Sequence, residues 1–244
     1  TLGERSGALP AVDVKQDAGE ALSVDGTDAA MAARARGRGF WARVVRFYSL
    51  TKPRVLFANA LTAAAGFFLA SAGNVDWAIF LAVCAGTTLV IGSACVLNNV
   101  LDSDIDHRMA RTRKRATVTG DVGARSALVF SALLAAAGFA ILVLWVNWPV
   151  VAIGAAGFLF YVVLYGMLSK RLSMHGTLVG SISGATPVLA GYVAVTGSID
   201  VGAVVAFLMM FFWQEPAFYA IAIYRRHEYA SADVPVITVA RGVG

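Results

Sequence analysis

Six stretches of about 20 residues, none of them containing a lysine or arginine, dominate this 244-residue chain. They run from Val55 to Ala72, Trp77 to Leu97, Ser126 to Val146, Pro149 to Leu168, Leu178 to Thr196 and Val201 to Tyr224. Crossing the hydrocarbon core of a bilayer takes about 20 apolar residues as a helix, and helices satisfy their own backbone polar groups where no water can. The composition agrees: 58% of residues are hydrophobic and 14% charged, more apolar surface than a soluble chain of this length needs for a core. The expected fold is all-α, a polytopic transmembrane helix bundle of six spans.

The net charge of +5 does not point to nucleic acid, because its distribution is that of a membrane protein. Nine of the 20 Lys and Arg residues precede the first span, six lie between spans two and three, two follow span four and three follow span six. The loops near Asn74, Asn147 and Ser198 carry none. The positive-inside rule therefore predicts a cytoplasmic N-terminus and cytoplasmic loops after the even-numbered spans, in a cell (inner or plasma) membrane.

Residues 1–38 are polar, rich in Ala, Gly and Asp, and without aromatics, a composition that cannot bury enough surface to fold. A disordered cytoplasmic tail is expected there, followed by one membrane domain over 39–244 that reads as C-terminally incomplete. Phe40 to Phe47 alternates aromatic and aliphatic residues with Arg43 and Arg46, the pattern of a short helix lying in the interface. Cys84 and Cys95 lie eleven residues apart on one expected helix, about 16 Å by helical rise, too far for a disulfide.

The chemistry concentrates after the second span, in NNVLDSDIDHRMARTRKR. Asn98, Asp102 and Asp106 recur every fourth residue, so a helix stacks them on one face. Two carboxylates one turn apart can share magnesium, which keeps positions open for water and phosphate oxygens. Arg108, Arg111, Arg113, Lys114 and Arg115 follow at once, and guanidinium forks match phosphate oxygens. A purely topogenic loop accounts for the basic residues. It does not account for acids at the end of a span, where each carries a cost.

The motif NNxxDxDxD followed by MxRTxxR resembles the first signature of the UbiA superfamily of intramembrane prenyltransferases. Four stretches, in the same order, resemble its haem O synthase branch: YSLTKPRVLFANALTAAAGFFLASAG, the acidic and basic segment itself, SKRLSMHGTLVGSISGATPVLAGYVAVTG, and WQEPAFYAIAIYRRHEYASADVPV. The resemblance covers nearly all of the chain from Tyr48 to Gly244.

The resemblance implies a magnesium-dependent prenyltransferase that moves a farnesyl group from farnesyl diphosphate to the vinyl group of haem b. Asp102 and Asp106 would hold magnesium, Arg111 and Arg115 would neutralise the departing diphosphate, and Asn98, Asn99, Lys52, Asn59, Arg108, Lys170, Arg171, Arg225, Glu228 and Tyr229 would bind substrate, with Glu228 as a further metal ligand. The second signature departs from the family pattern: Ala217 stands where the family has His, and Glu228 where it has Asp. Expected partners are the two substrates and lipid, with no nucleic acid; a homo-oligomer stays open. So do a rival acceptor, an aromatic quinone precursor, and a non-enzymatic membrane carrier, although a carrier tends to place its acids near the midplane.

Glycines and alanines in GSISGATPVLAGY (Gly180, Gly184, Ala185, Gly191) permit close helix approach. Pro216 would free a backbone carbonyl near a cavity. Phe212, Trp213 and Phe218 suit either a lipid-facing belt or a substrate wall.

Overall fold

The computed structural model describes residues 39–240, so the tail expected over residues 1–38 lies outside the described residues. No β-strand occurs among the described residues. Helix α1 (Phe40–Leu50) leads into six helices long and apolar enough to cross a membrane: α2 (Pro53–Ser71), α3 (Trp77–Leu101), α5 (Ala124–Trp145), α6 (Trp148–Leu172), α7 (Gly176–Thr196) and α8 (Val201–Tyr224). Short helices fill the loops at the basic end: α4 (Ser103–Asp106) after α3, and α9 (Arg226–Ser231) and α10 (Ile237–Ala240) after α8.

The chain is a multi-pass membrane protein, with each span within a few residues of its expected place. Large side chains such as Phe57, Leu61, Met209 and Trp213 are exposed on the outside of the bundle, the arrangement of a protein whose solvent is lipid. The interior is built from small contacts. A Cβ on Gly66 of α2 would strike the Val188 carbonyl of α7, and one on Gly191 of α7 would strike the Ala63 carbonyl of α2. The two backbones therefore touch, as expected of Gly191.

At the end of the bundle without basic residues, three helix starts are capped by the side chain just before them. Asp76 Oδ1 accepts from the amides of Ala78 (2.9 Å) and Ile79 (3.1 Å). Asn147 Oδ1 accepts from Val150 (3.0 Å) and Asp200 Oδ1 from Ala203 (2.8 Å). Each cap satisfies amides that a helix N-terminus leaves without intrahelical partners. A core of Phe67, Val83, Val90, Leu142, Val150 and Val193 closes this half.

At the basic end the bundle stays open, and the two long polar loops fold over it. Ile105 and Met109 from one loop bury themselves against Ala232 and Val234 from the other. Arg108 Nη1 and Asp233 Oδ2, 2.9 Å apart, tie the same loops at the surface. Helix α1 joins this end through Leu50, buried against Val96, Ala116 and Val122, while Phe40, Trp41 and Tyr48 remain exposed. That half-buried, half-exposed character fits the interfacial helix expected over Phe40 to Phe47.

Candidate active site

Helix α3 outlasts its apolar stretch. It runs to Leu101 and hands directly to α4, with Asp102 between them at φ −86°, ψ 0°. The amide of Asp102 donates to the Asn98 carbonyl (2.9 Å) and that of Asp106 to the Asp102 carbonyl (2.8 Å). The i to i+4 ladder thus passes through the junction, and Asn98, Asp102 and Asp106 stack as their spacing predicts. All three side chains are buried, at 3%, 1% and 1% exposure, and all three line one cavity of about 490 Å³ at the basic end.

Each acid in this cavity meets a cation, Asp102 one from a distant span and Asp106 one from its own loop. Lys170 Nζ lies 2.5 Å from Asp102 Oδ2, and Arg115 Nη1 lies 2.5 Å from Asp106 Oδ2. Lys52 Nζ donates to Asn98 Oδ1 at 2.9 Å. Lys52 sits in the left-handed region (φ 55°) just ahead of Pro53, a conformation that costs of order 1–3 kcal/mol for a residue other than glycine. That backbone starts α2 while the side chain enters the cavity. Burial, and then the charge of Arg115, pushes the Lys52 ammonium down to about 8, because both disfavour its charged form.

The remaining carboxylate oxygens, Asp102 Oδ1 and Asp106 Oδ1, are buried without a hydrogen-bond partner, as are Asn98 Nδ2 and Asn99 Oδ1. Buried acceptors left open are costly and mark a place for a ligand. Two buried aspartates that line one cavity, each with a carboxylate oxygen left without a partner, are a hard donor set, and they fit magnesium. Asn99 itself is fixed by Nδ2 donating to the Leu50 carbonyl (2.7 Å).

Of the residues expected to form the site, Lys52, Asn98, Asn99, Asp102, Asp106, Arg111, Arg115, Lys170 and Tyr229 converge on this cavity. Asn59 lines a second, apolar cavity of about 200 Å³ deeper in the bundle. Four others stand away from the cavity wall. Arg108 is turned outward to Asp233. Arg171 grips Asp104 at 2.7 Å and the Leu101 carbonyl at 2.6 Å, a pairing that holds the Asp104 carboxyl below its usual range. Arg225 and Glu228 pair with each other at 3.4 Å.

Glu228 Oε2 also lies 3.8 Å from Arg111 Nε, so its carboxylate faces two guanidiniums rather than Asp102 and Asp106. Among the described residues no group of three Asp, Glu, His or Cys side chains comes together to hold a metal. Glu228 thus stands beside Arg111, which does line the cavity, and not beside the two aspartates. His107, His175 and His227 are all exposed and line neither cavity. Ala217 also falls on an exposed face of α8. Phe218 lines both cavities, whereas Phe212 and Trp213 are exposed, so the aromatic group divides between substrate wall and lipid face.

Sequence reasoning passed over several lining residues, Ser49, Arg54, Tyr161, Tyr165 and Thr177, and noted Lys114 only as one of the basic cluster. For the tyrosines a signal was available, two phenols four residues apart inside an otherwise apolar span. Val55, Tyr161, Gly180 and Phe218 line both cavities, so the polar chamber and the apolar one are neighbours on either side of these four residues. The combined space has an acidic and basic head and a greasy tail.

The model of the UbiA prenyltransferase family matches residues 59–244. The chain is 50% identical over 201 residues to protoheme IX farnesyltransferase 2 of Pseudomonas putida (strain GB-1), covering 82% of this chain and 68% of that protein. It is 44% identical over 198 residues to the protoheme IX farnesyltransferase of Marinomonas sp. (strain MWYL1), covering 81% and 67%. Among solved structures it resembles a digeranylgeranylglyceryl phosphate synthase (TM-score 0.68, 19% identity, 82% of this chain and 70% of that one). It also resembles a UbiA homolog from Archaeoglobus fulgidus bound to GPP and Mg2+ (TM-score 0.66, 15% identity, 81% and 69%). At these identities the structures speak for the fold, and with the sequence relatives and the family match they lead to one assignment: the chain belongs to the UbiA prenyltransferase family, in its protoheme IX farnesyltransferase branch.

Proposed function

We propose that this membrane enzyme transfers the farnesyl group of farnesyl diphosphate to the vinyl group of haem b, giving haem O. The acceptor follows from relatives about half identical in sequence that carry the name protoheme IX farnesyltransferase. The diphosphate half is supported by one observation above all: two buried aspartates with an open oxygen each, facing the same cavity as Lys52, Arg111, Arg115 and Lys170.

Bound magnesium supplies positive charge against the departing diphosphate. Asp102 and Asp106 would be the residues to hold it. Arg115 and Lys170, now on the Oδ2 atoms, stand within reach of the same phosphates. Arg111, beside Glu228, adds a guanidinium fork from the loop above. Charge fixed in place before the reaction stabilises a leaving group without reorganisation at the moment of bond breaking.

The apolar cavity takes the isoprenoid chain. Asn59, Gly157, Thr186 and Pro187 line it, and its walls exclude water from the reactive carbon. The functional unit corresponds to residues 39–244. The asymmetry of Lys and Arg supports a cytoplasmic basic end, and a cell membrane location would let that mouth meet a soluble diphosphate.

The test is direct. The purified protein, reconstituted in lipid nanodiscs, is given farnesyl diphosphate, magnesium and haem b, with 4-hydroxybenzoate as competing acceptor, and products are read by mass spectrometry. Farnesylated haem that disappears on adding EDTA is expected. Prenylated 4-hydroxybenzoate without farnesylated haem would overturn the acceptor, and haem O formed equally well in EDTA would overturn the metal.

A further inference from the structure

The apolar cavity ends inside the bundle. Thr87 and Val90 of α3, Ile153 of α6 and Ala190 of α7 line its far end, each no more than 6% exposed. Val90, Ile153 and Ala190 belong to the packed core itself. One turn further along the same three helices stand Val83, Val150 and Val193, all completely buried, so solid protein lies beneath the floor.

The sides are shut at the same depth. Gly191, next to Ala190, packs its backbone against the Ala63 carbonyl of α2, and a Cβ on Gly157 of α6 would sit 2.5 Å from Thr186 Oγ1 of α7. The serine and threonines of the wall spend their hydroxyls on their own helices. Thr87 Oγ1 donates to the Val83 carbonyl (2.5 Å), Ser183 Oγ to Gly180 (2.7 Å) and Thr186 Oγ1 to Ser183 (2.7 Å). What remains for a ligand is a closed apolar end.

Its depth follows from the helices. Gly180, where the two cavities meet, and Ala190, at the floor, are ten residues apart on α7, about 15 Å by helical rise. Span α6 is π-helical over Phe160–Ser169 and α-helical below; the eight residues from Tyr161 to Ile153 give about 12 Å. Each isoprene unit adds four bonds to a prenyl chain, about 5 Å when extended at single-bond spacing. Three units thus reach from the meeting point to the floor, and a fourth has no space.

We infer that Thr87, Val90, Ile153 and Ala190 form a blind floor that measures the prenyl chain, so that the protein selects the length of its prenyl diphosphate by where the cavity stops. This rests on the prenyl transfer proposed above, with the chain lying in the apolar cavity. The charged end cannot make the choice, because every prenyl diphosphate offers it the same group. A chain one unit too long meets side chains fixed in a close-packed core. A chain one unit too short leaves the floor without partner atoms. In an apolar pocket even one methylene changes kcat/KM by about 10-fold or more.

The experiment gives geranyl, farnesyl and geranylgeranyl diphosphates to the wild type, Ile153→Ala, Ala190→Val and Ala190→Leu in nanodiscs with magnesium. Haem b and 4-hydroxybenzoate are both present, and kcat/KM is taken on whichever acceptor is prenylated. The Kd of each prenyl thiolodiphosphate, whose bridging sulfur blocks transfer, is measured by calorimetry against empty nanodiscs. The wild type should favour farnesyl over both other lengths by about 10-fold or more. Ile153→Ala should raise geranylgeranyl relative to farnesyl by about 10-fold, and the Ala190 substitutions should shift preference towards geranyl, leucine more than valine. A gain for the longer chain cannot arise from misfolding, so Ile153→Ala decides the matter if Ala190→Leu does not fold. Affinity that simply rises with chain length in the wild type, or length ratios unaltered in Ile153→Ala and Ala190→Val, would overturn the inference and put the tail in lipid at the side of the bundle. Length-selective Kd values that move with the floor, without transfer to either acceptor, would overturn the transferase reading and leave the floor standing; thiolodiphosphates that do not bind would overturn both.

Discussion

Asp102 and Asp106 each commit one carboxylate oxygen to a cation of the chain and keep the other open. Asp102→Asn or Asp106→Asn preserves shape and removes charge. Each should lower kcat for haem farnesylation by about 10² or more by weakening the hold on departing diphosphate, and should raise the magnesium concentration at half-maximal rate. Wild-type turnover in both would remove the metal assignment. Lys52 gives a pH signature. Its ammonium titrates at about 8 in the folded protein against 10.5 ordinarily. Below about pH 8 both folded and unfolded states are protonated, and the fold bears the full cost of the buried charge. Between about 8 and 10.5 the unfolded chain binds a proton that the fold does not, so this residue's contribution to stability rises with pH. Anion binding runs the other way: kcat/KM for farnesyl diphosphate should fall as pH rises through 8, and Lys52→Met should make it low and remove that inflection. An unaltered inflection in Lys52→Met would assign it elsewhere. The acid ladder was legible because a period of four is a helical face. The pairing of the acids was not, since Lys170 reaches Asp102 only through the tertiary fold and Arg115 reaches Asp106 only through the turn of their loop, and Arg108 and Arg171, which look equivalent on paper, are turned outward to Asp233 and Asp104.

Helix limits followed hydropathy wherever lipid sets them, as in Val201–Tyr224, and departed from it wherever the site does. The apolar stretch ends at Leu97, yet α3 continues to Leu101, since Asn98 and Asn99 find partners inside the protein and need not leave the helix. The π winding of α6 left no trace in hydropathy, which counts apolar residues without fixing their register. Close helix approach was legible in part. Gly191 packs backbone to backbone as small residues suggest, whereas Gly180 makes room for the Tyr165 ring and Gly184 for the Gln214 side chain. The contrast is measurable. Gly191→Ala drives a methyl into the Ala63 carbonyl and should cost about 1–3 kcal/mol, lowering the thermal midpoint in detergent by roughly 3–10 °C. Gly154→Ala meets only Leu142 Cδ1 at 3.4 Å and Phe139 Cε1 at 3.6 Å and should melt close to the wild type. Equal midpoints for the two would mean that α2 and α7 can separate freely.

The whole molecule has two unlike ends, and their difference predicts its orientation. One end carries every basic loop, the cavity and the two polar segments that fold over it; that the segments dock through Ile105, Met109, Ala232 and Val234 was hidden in the sequence, because four apolar residues scattered through charged loops have no periodicity to read. The other end has Asp76, Asn147 and Asp200 as helix caps and no lysine or arginine in its loops. Each basic residue near an anionic leaflet gains about 1 kcal/mol, and the five between α3 and α5, with Arg125 in the first turn of α5, make inversion of the bundle costly. A single cysteine at Ser198, in the loop between α7 and α8, should therefore be labelled on intact cells by a membrane-impermeant maleimide, while one at Arg113, in the basic loop after α4, should react only after the membrane is opened. The natural thiols leave the readout clear, since Cys84 and Cys95 both sit within span α3, half-buried and buried. Labelling in the reverse order would put the cavity mouth outside the cell, away from a cytoplasmic pool of prenyl diphosphate, and would count against the transferase reading as well as the topology.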